Sequence, residues 1–419
     1  MDSIANPGIV RLDPFSASLR PGVTIDLLIH RYLPVATVYF FFNGVGLPAG
    51  LFYTTVFSPV LYLWLYLKGH HWLTAKFLLI LSPFIIAHMV TGVASPLQYL
   101  RSLLLWWTVY ITVCAFCWAL MECRSIDRLF EQLIILNFYA TLLAIAIFPT
   151  PLRYILWIEN GEITAGFSHS YRLNLLSIEP SGYANLMLPL LVFTALRLLR
   201  NNSVRNLSYF MMIAVPFLLC QSIGGICMGL AGIGISLMTG FRQFFHRSTS
   251  RTLFLCLAIS TCALLLTPNP ISARILQAAA GNDSSTNSRT INAYIAAYTV
   301  AAPNNMWWGL GLAQTKFMDI SDLGLGIMNG FPNIVAYTFA EFGLIGLLTM
   351  LTVELYLFFR TRVYLNSFRL AMFVVAFIAQ FTGSYPTSIQ QYLIWFFAFY
   401  PIFPNFNLHG SLNPEVIHS

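Results

Sequence analysis

Charged residues are scarce in this chain, and this scarcity excludes more classes of protein than any other feature of the sequence. Only 9% of the 419 residues are charged, whereas 58% are hydrophobic and the mean hydropathy is +0.72. Soluble globular domains carry about 25% charged residues. The composition therefore excludes a soluble globular protein and indicates an integral membrane protein.

Several familiar motifs are also missing. The sequence has no Walker loop, no GxGxxG motif after a strand, no zinc-ligand spacing and no GxSxG motif. Its seven cysteines fall in or beside apolar stretches, where cysteine usually serves as a small buried hydrophobe. Residues 1–22 lack the apolar core and cleavage site of a signal peptide. We therefore expect no metal, no cofactor, and a substrate that carries its own activation.

Long apolar stretches run through nearly the whole sequence. A membrane-spanning helix needs about 20 mostly apolar residues, which predicts about twelve such helices. We therefore predict an all-α integral membrane protein in which residues 1–419 form a single bundle. The candidate spans are residues 33–48, 50–67, 74–92, 102–121, 129–148, 182–199, 207–221, 223–240, 252–267, 332–358, 368–384 and 388–404.

The basic residues predict how these spans are oriented. Most of the 22 Lys and Arg residues lie near the N-terminus or in alternate connections, a bias that marks the cytoplasmic side. Both termini are then cytoplasmic, and the net charge of +7 reflects topology rather than nucleic-acid binding. Segments 149–181 and 269–331 become outer loops, the second long and partly helical. The basic residues predicted to face outward are Arg101, Arg153, Arg172, Arg274, Arg289 and Lys316.

Arginines on the outer side run against this bias, so we regard them as candidates for binding a ligand. Asn287 and Ser288 are good N-cap residues, which places Arg289 in the first turn of a helix ended by Pro303. A cation there is slightly unfavourable unless an anion is bound. The guanidinium fork suits phosphate oxygens. Arg289 and Arg172 could form a clamp for a pyrophosphate, with a structural salt bridge as the alternative. The apolar spacing of Ile291, Tyr294, Ile295 and Tyr298 predicts the face of this helix that packs on the bundle.

Two further residues of segment 149–181 are candidates. Glu179 precedes Pro180, which suits the first turn of the next span. The carboxylate is either stabilised there by the helix dipole or serves as a general base or a ligand for a substrate hydroxyl. His169 is either a solvated loop residue or a catalytic group.

Segment 269–331 and the following span supply the remaining candidates. Trp307 and Trp308 either anchor the chain at the membrane interface or stack on a sugar ring. Lys316 is a third candidate cation. Glu341 lies inside an apolar span, where ionisable residues are costly and usually have a partner. It either makes a structural hydrogen bond to a neighbouring helix end or takes part in the chemistry.

Two groups of residues together resemble a known superfamily. The first group is Arg289, Pro303, Gly309, Gly311, Asn333, Glu341, Gly343 and Gly346. The second is Arg172 with Glu179, Pro180, Ser181 and Ala184. With its many spans and these two groups of residues, the chain resembles the O-antigen ligase/polymerase superfamily. Within it, the chain is most similar to the Wzy-type polysaccharide polymerases. Ligases of this superfamily typically carry His-Asn where this chain has Pro332-Asn333, which favours the polymerase branch.

The resemblance implies an activity, partners and a location. Undecaprenyl-pyrophosphate-linked oligosaccharides would be polymerised on the periplasmic face of a bacterial inner membrane, by an inverting, metal-independent glycosyl transfer. Arg172 and Arg289 would hold the donor pyrophosphate, and Glu179 would deprotonate the acceptor. Asn333, Glu341, Trp307, Trp308, Lys316 and His169 would line the substrate site. A chain-length-regulating co-polymerase is an expected partner, besides membrane lipids. The alternatives are an O-antigen ligase that transfers polymer to lipid A–core and, outside the enzymes, a flippase for lipid-linked oligosaccharides.

Overall fold

The computed structural model describes residues 53–408 except 123–125, 161–169, 176, 178, 241–265, 268–269, 282–283, 319–330 and 384–385. These residues are mostly helical. The helices, in chain order, are α1 Tyr53–Leu67, α2 Leu73–Thr91, α3 Pro96–Glu122, α4 Ile126–Ile147, α5 Arg153–Leu156, α6 Pro180–Arg200, α7 Val204–Leu219, α8 Ile223–Thr239, α9 Pro270–Ala279, α10 Ser284–Arg289, α11 Ile291–Asn305, α12 Ile334–Arg360, α13 Ser367–Thr382 and α14 Ile389–Phe399.

Helices α2, α3, α4, α6 and α12 are long and apolar enough to cross a membrane. Helices α1, α7, α8, α13 and α14 are shorter but also apolar. This is the architecture of a multi-pass helical membrane protein. Each of these helices overlaps one predicted span. The predicted span 33–48 lies outside the described residues, and 252–267 lies almost wholly outside them. The total of about twelve spans stays a prediction.

Small residues bring three of these helices close together. A Cβ atom added at Gly225 of α8 would lie 2.9 Å from the Cβ of Ala184 on α6. Further along α8, a Cβ at Gly232 would lie 3.0 Å from Val375 on α13. Small residues allow such close backbone approach between apolar helices. They therefore fix α8 between α6 and α13, the two helices whose ends carry the candidate site.

Contacts at one end of the bundle gather around Arg289. Its side chain bonds to Glu179 at the start of α6, and its carbonyl bonds to Asn333 at the start of α12. A Cβ at Gly383, where α13 ends, would lie 3.3 Å from Arg289 Cδ. We call this the Arg289 end. Glu179 and Arg289 belong to the segments predicted to be outer loops, and Asn333 closely follows the second of them. The assignment of the Arg289 end to the periplasmic face stays a prediction.

Contacts at the opposite end gather around other basic residues. Glu131 of α4 accepts hydrogen bonds from Arg197 at the end of α6, at 2.6 Å, and from Arg205 at the start of α7, at 2.9 Å. Arg369, in the first turn of α13, donates to the carbonyl oxygens of Ala398, Phe399 and Thr361. We call this the Arg369 end. Here basic side chains join helix ends to one another. Close-packed phenylalanine rings support the same end: Phe130, Phe193, Phe368, Phe397 and Phe403.

Segment 149–181 contains structure that the sequence did not predict. After the short helix α5, strands β1 Trp157–Asn160 and β2 Ser170–Leu173 form an antiparallel pair in which Ile158 lies opposite Arg172. The Trp157 ring is buried, and its Nε1 donates to the Ala144 carbonyl of α4 at 2.9 Å. The hairpin is thereby fixed to the bundle, and Arg172 lies on a strand rather than on a free loop.

Candidate functional site

An ion pair between Arg289 and Glu179 forms the centre of the Arg289 end. Arg289 Nη2 donates to Glu179 Oε2 at 2.8 Å, and the Ser181 hydroxyl donates to the same oxygen at 2.8 Å. The side chains remain 26% and 46% exposed, respectively, so both are open to a ligand. Pro180 is the first residue of α6, as predicted, and leaves Glu179 as its N-cap residue. The salt bridge given as the alternative for Arg289 is therefore present.

The prediction for the helix that carries Arg289 was wrong. Arg289 is the last residue of α10, and after Thr290 a new helix, α11, begins at Ile291. Asn287 does not cap α11; its Nδ2 donates to the Gly281 carbonyl at 2.7 Å. A cation is favourable at a helix C-terminus, so the helix position of Arg289 does not by itself call for an anion. The open ion pair, and not the helix position of Arg289, is the feature that favours ligand binding here.

The predicted packing face of α11 was also wrong. Ile291, Ile295 and Tyr298 are largely exposed, whereas the buried face is formed by alanines and Val300. Tyr294 is the exception, since its hydroxyl donates to the Phe381 carbonyl near the end of α13 at 3.0 Å. Small side chains let α11 lie close against α12, and this need for close approach overrode the hydrophobic periodicity. The helix also runs two residues beyond Pro303, to Asn305.

Asn333 positions Arg289 through the backbone. Its Oδ1 accepts from the Ala336 N–H at 2.7 Å and so caps α12, while its Nδ2 donates to the Arg289 carbonyl at 2.7 Å. The residue is fully buried. That carbonyl is available because the chain breaks between α10 and α11. Both polar groups of Asn333 are thus used within the protein, so it holds Arg289 in place and is not itself exposed to a ligand.

Arg172 lies near enough to Glu179 for its charge to act on the carboxylate. Its Nε donates to the Cys220 carbonyl, just beyond the end of α7, at 2.9 Å. Burial raises the pKa of Glu179, but the charge of Arg289, the Ser181 hydroxyl and the charge of Arg172 together lower it below its ordinary value. Glu179 is therefore ionised at neutral pH and, in this state, a weak base.

A second cluster lies at the far end of α11, where helix α12 is broken. Gly343 has φ 67° and ψ −168°, values outside the helical region. Residues 306–311 supply the lost hydrogen bonds: Leu310 and Gly311 donate to the carbonyls of Ala340 and Glu341, and Leu344 and Ile345 donate to those of Met306 and Trp307. We call this arrangement the glycine junction.

Two glycines make the glycine junction possible. A Cβ at Gly343 would overlap the backbone of Trp307, and one at Gly309, where φ is 76°, would overlap the backbone of Glu341. Only glycine tolerates both the positive φ and the close approach. The junction therefore gives a physical reason for two of the glycines that carried the family resemblance, Gly309 and Gly343.

Glu341 lies within the glycine junction rather than beside Arg289. Its Oε1 accepts from the Ala313 N–H at 2.8 Å, at the start of a 3-10 turn formed by residues 314–317. Its buried Oε2 makes no hydrogen bond of good geometry to the described residues, although the Tyr337 and Thr315 side chains lie beside it. Glu341 therefore holds the 306–313 segment against α12.

His88 of α2 also holds this segment, and the sequence prediction missed it. Its Nε2 lies 2.8 Å from the Trp308 carbonyl and its Nδ1 lies 3.0 Å from the Tyr99 hydroxyl. Because a carbonyl can only accept, Nε2 carries the proton, and in the neutral ring Nδ1 accepts from Tyr99. The signal for this role in the sequence was a histidine inside an apolar span.

The remaining candidates do not join the Arg289–Glu179 pair. Trp307 is 58% exposed, whereas Trp308 packs edge-on against Phe84 of α2. Lys316 is exposed on the 3-10 turn after Ala313. His169 lies outside the described residues. The structure therefore brings Arg172, Glu179, Arg289 and Asn333 together, and groups Glu341, Trp307, Trp308 and Lys316 at the other end of α11.

Comparison of the sequence with models of protein families and with characterised proteins found no match. Among the described residues, no group of three or more His, Cys, Asp or Glu side chains is arranged to hold a metal ion.

Proposed function

We propose that this chain is a membrane glycosyltransferase that polymerises undecaprenyl-pyrophosphate-linked oligosaccharide repeat units on the periplasmic face of a bacterial inner membrane. The observation that carries the proposal is the half-exposed Arg289–Glu179 pair at a meeting point of helix ends, with Arg172 beside it. The pair offers a cation for a phosphate and a carboxylate for a hydroxyl proton at one place.

Arg289 is the main phosphate ligand in this proposal. Its guanidinium offers five N–H donors, and Glu179 is its one side-chain partner among the described residues. A planar fork can bind two phosphate oxygens at once, and its charge stabilises the negative charge that builds up on a leaving pyrophosphate. Asn333 holds the Arg289 backbone, which limits how far the guanidinium can move.

Glu179 becomes an effective base only when Arg289 turns to the substrate. Paired with Arg289, the carboxylate has a lowered pKa. A bound pyrophosphate competes for the guanidinium and adds negative charge nearby, and both effects raise the pKa of Glu179. The base would therefore be activated by the donor that it serves. Ser181 keeps the carboxylate in place through its own hydrogen bond.

The reaction balances with these groups alone. An acceptor hydroxyl oxygen forms a bond to the anomeric carbon of the donor, and its proton passes to Glu179. The bond between that carbon and the pyrophosphate oxygen breaks, and its electron pair leaves with the lipid pyrophosphate. Because the hydroxyl attacks opposite the leaving group, the anomeric configuration is inverted. Arg289 and Arg172 stabilise the departing charge.

Reconstitution tests the proposal. Purified full-length protein in liposomes, supplied with lipid-linked repeat units and neither nucleotide nor metal, should produce a ladder of lipid-linked polymers. Arg289→Ala should abolish the ladder, whereas Thr299→Ala, an exposed position on α11, should leave it unchanged. Product that forms only after lipid A–core is added would indicate a ligase. Folded protein that makes no product with either acceptor would contradict an enzyme and favour transport of the lipid-linked glycan.

A further inference from the structure

A pocket of about 190 Å³ lies at the glycine junction, at the opposite end of α11 from the Arg289–Glu179 pair. One wall comes from the turn between α2 and α3, at Thr91, Gly92 and Ala94. The other comes from the last residues of α11 and the segment that follows: Asn304, Asn305, Gly309, Leu310, Gln314 and Met318. We call it the amide pocket.

The walls of the amide pocket are polar but uncharged. Asn304, Asn305 and Gln314 carry amide groups, and Thr91 carries a hydroxyl, while none of the described residues that line the pocket is charged. Burying a charge without a partner is costly, so this lining disfavours an ionic ligand. An amide offers both donors and acceptors, as a sugar hydroxyl does. The lining therefore suits an uncharged polyhydroxyl ligand.

Asn305 leaves one hydrogen-bonding group without a partner in this wall. Its Oδ1 accepts from the Trp308 N–H at 3.1 Å, which fixes the side chain. Its Nδ2 is buried and has no hydrogen-bond partner among the described residues. A buried donor without an acceptor is unfavourable, and a ligand oxygen would relieve this.

The amide pocket is held rigidly before any ligand binds. Gln314 donates to the Ser95 and Leu312 carbonyls and accepts from the Ser95 N–H, which joins the two walls. Gly309 is fixed by the glycine junction, and His88 holds the Trp308 carbonyl. Preorganised walls reduce the entropy lost on binding.

Size and distance define what the pocket could hold. Its volume of about 190 Å³ leaves room for one sugar ring. Helix α11 has 15 residues and, at about 1.5 Å per residue, separates the pocket from Arg289 by roughly 20 Å. A glycan whose pyrophosphate lay at Arg289 could extend along α11 to reach it.

We propose that the amide pocket binds one uncharged sugar residue of a glycan, remote from the bond that reacts. That this glycan is the lipid-linked repeat unit rests on the proposed function. The pocket would then select which repeat unit is accepted and set its position along α11.

Two probes separate this site from the Arg289–Glu179 pair. The first is the neutral oligosaccharide pool released by mild acid from the lipid-linked glycans of the producing cells; the second is inorganic pyrophosphate. Binding is measured on the purified full-length chain in nanodiscs by tryptophan fluorescence and calorimetry. Asn305→Asp keeps the acceptor for the Trp308 N–H and removes the free donor. Thr299→Ala is the matched control on an exposed position of α11.

We expect the oligosaccharide to bind wild type, Thr299→Ala and Arg289→Ala equally, and Asn305→Asp at least about tenfold more weakly. If Asn305→Asp does not fold, Asn304→Ala, at an exposed residue, should give the weakening instead. Equal binding by wild type and a folded pocket variant, or no saturable binding by wild type, would overturn the pocket assignment. Oligosaccharide binding that depends on Asn305, without pyrophosphate binding that depends on Arg289, would support the pocket and contradict the proposed function.

Discussion

Arg289 and Arg369 lie at opposite ends of the bundle, and their guanidinium groups have different kinds of partner. Arg369 is 7% exposed, and its guanidinium donates to three backbone carbonyls at 2.8–3.0 Å. The Arg289 side chain is 26% exposed and pairs with one half-exposed carboxylate. Backbone carbonyls at helix ends cannot move away, whereas a side-chain carboxylate can be displaced. Arg289 therefore has a partner that a phosphate could replace, and Arg369 does not.

Alanine substitution of each arginine should have the largest effects, and these should differ between the two ends of the bundle. Arg369→Ala removes the donor to three carbonyls, one buried and two partly buried, at about 1–3 kcal/mol for each carbonyl left unsatisfied, so we expect little folded protein. Arg289→Ala removes a half-exposed ion pair worth about 0–1 kcal/mol, so the fold should survive while polymer formation is lost. Thermal unfolding in detergent and the polymer ladder measure the two effects. Loss of folding in Arg289→Ala, or full activity with normal stability in Arg369→Ala, would contradict the comparison.

The glycine junction should be the next most sensitive element. Gly343→Ala places a Cβ on the Trp307 backbone at a positive φ, which should cost roughly 1–3 kcal/mol for the backbone strain alone. Gly234 of α8 is the matched control, because a Cβ there meets no atom within 4 Å. Gly234→Ala should be neutral or slightly stabilising. The melting temperatures of the two variants measure this difference in stability, and equal melting temperatures would contradict a requirement for glycine at position 343.

Glu179→Gln should separate catalysis from binding at the Arg289 end. Removing a general base typically slows a reaction about 10²- to 10⁴-fold, and we expect kcat for repeat addition to fall in this range. Donor affinity should hold or increase, because the neutral amide of this variant no longer competes as an anion for Arg289. Initial rates at varied donor concentration give kcat and KM separately. An unchanged kcat would exclude Glu179 as the base.

The pH profile should show the smallest effect. Arg289 and Arg172 lower the pKa of Glu179 below its ordinary value in the free protein, so the ion pair persists at neutral pH and is lost only as pH falls through that lowered pKa. Bound pyrophosphate should raise this pKa. The acid limb of kcat, which reports the complex, should therefore lie at least about one pH unit above that of kcat/KM, which reports the free enzyme. Coincident limbs would contradict donor-dependent activation of Glu179.

The sequence predicted the helices well because length and apolar content alone specify a membrane span. The predicted span 182–199 is α6, Pro180–Arg200, and Pro180 starts it as expected. Local rules failed where tertiary contacts decide the conformation. The break after Arg289 follows from bonds to Glu179 and Asn333, which are distant in sequence.

The glycine junction and the β1–β2 hairpin also could not be predicted from the local sequence. The sequence predicted one span over residues 332–358, whereas Gly343 breaks α12 because residues 306–311 supply the missing hydrogen bonds. The β1–β2 hairpin has only four residues in each strand, too few for a clear alternating pattern. The charged candidate residues could be selected from the sequence by their charge and predicted topology. The grouping of the candidates into two clusters could not be predicted from the sequence.

The proposed pyrophosphate site is tested by the affinity of the full-length protein in nanodiscs for undecaprenyl pyrophosphate that carries no sugar. Wild type should bind it, and Arg289→Ala, shown to be folded by its melting temperature, should bind about 10- to 100-fold more weakly, since hydrogen bonds to charged groups contribute about 1.5–3 kcal/mol. Equal affinity in wild type and Arg289→Ala would contradict the assignment of this end of the bundle as a pyrophosphate site.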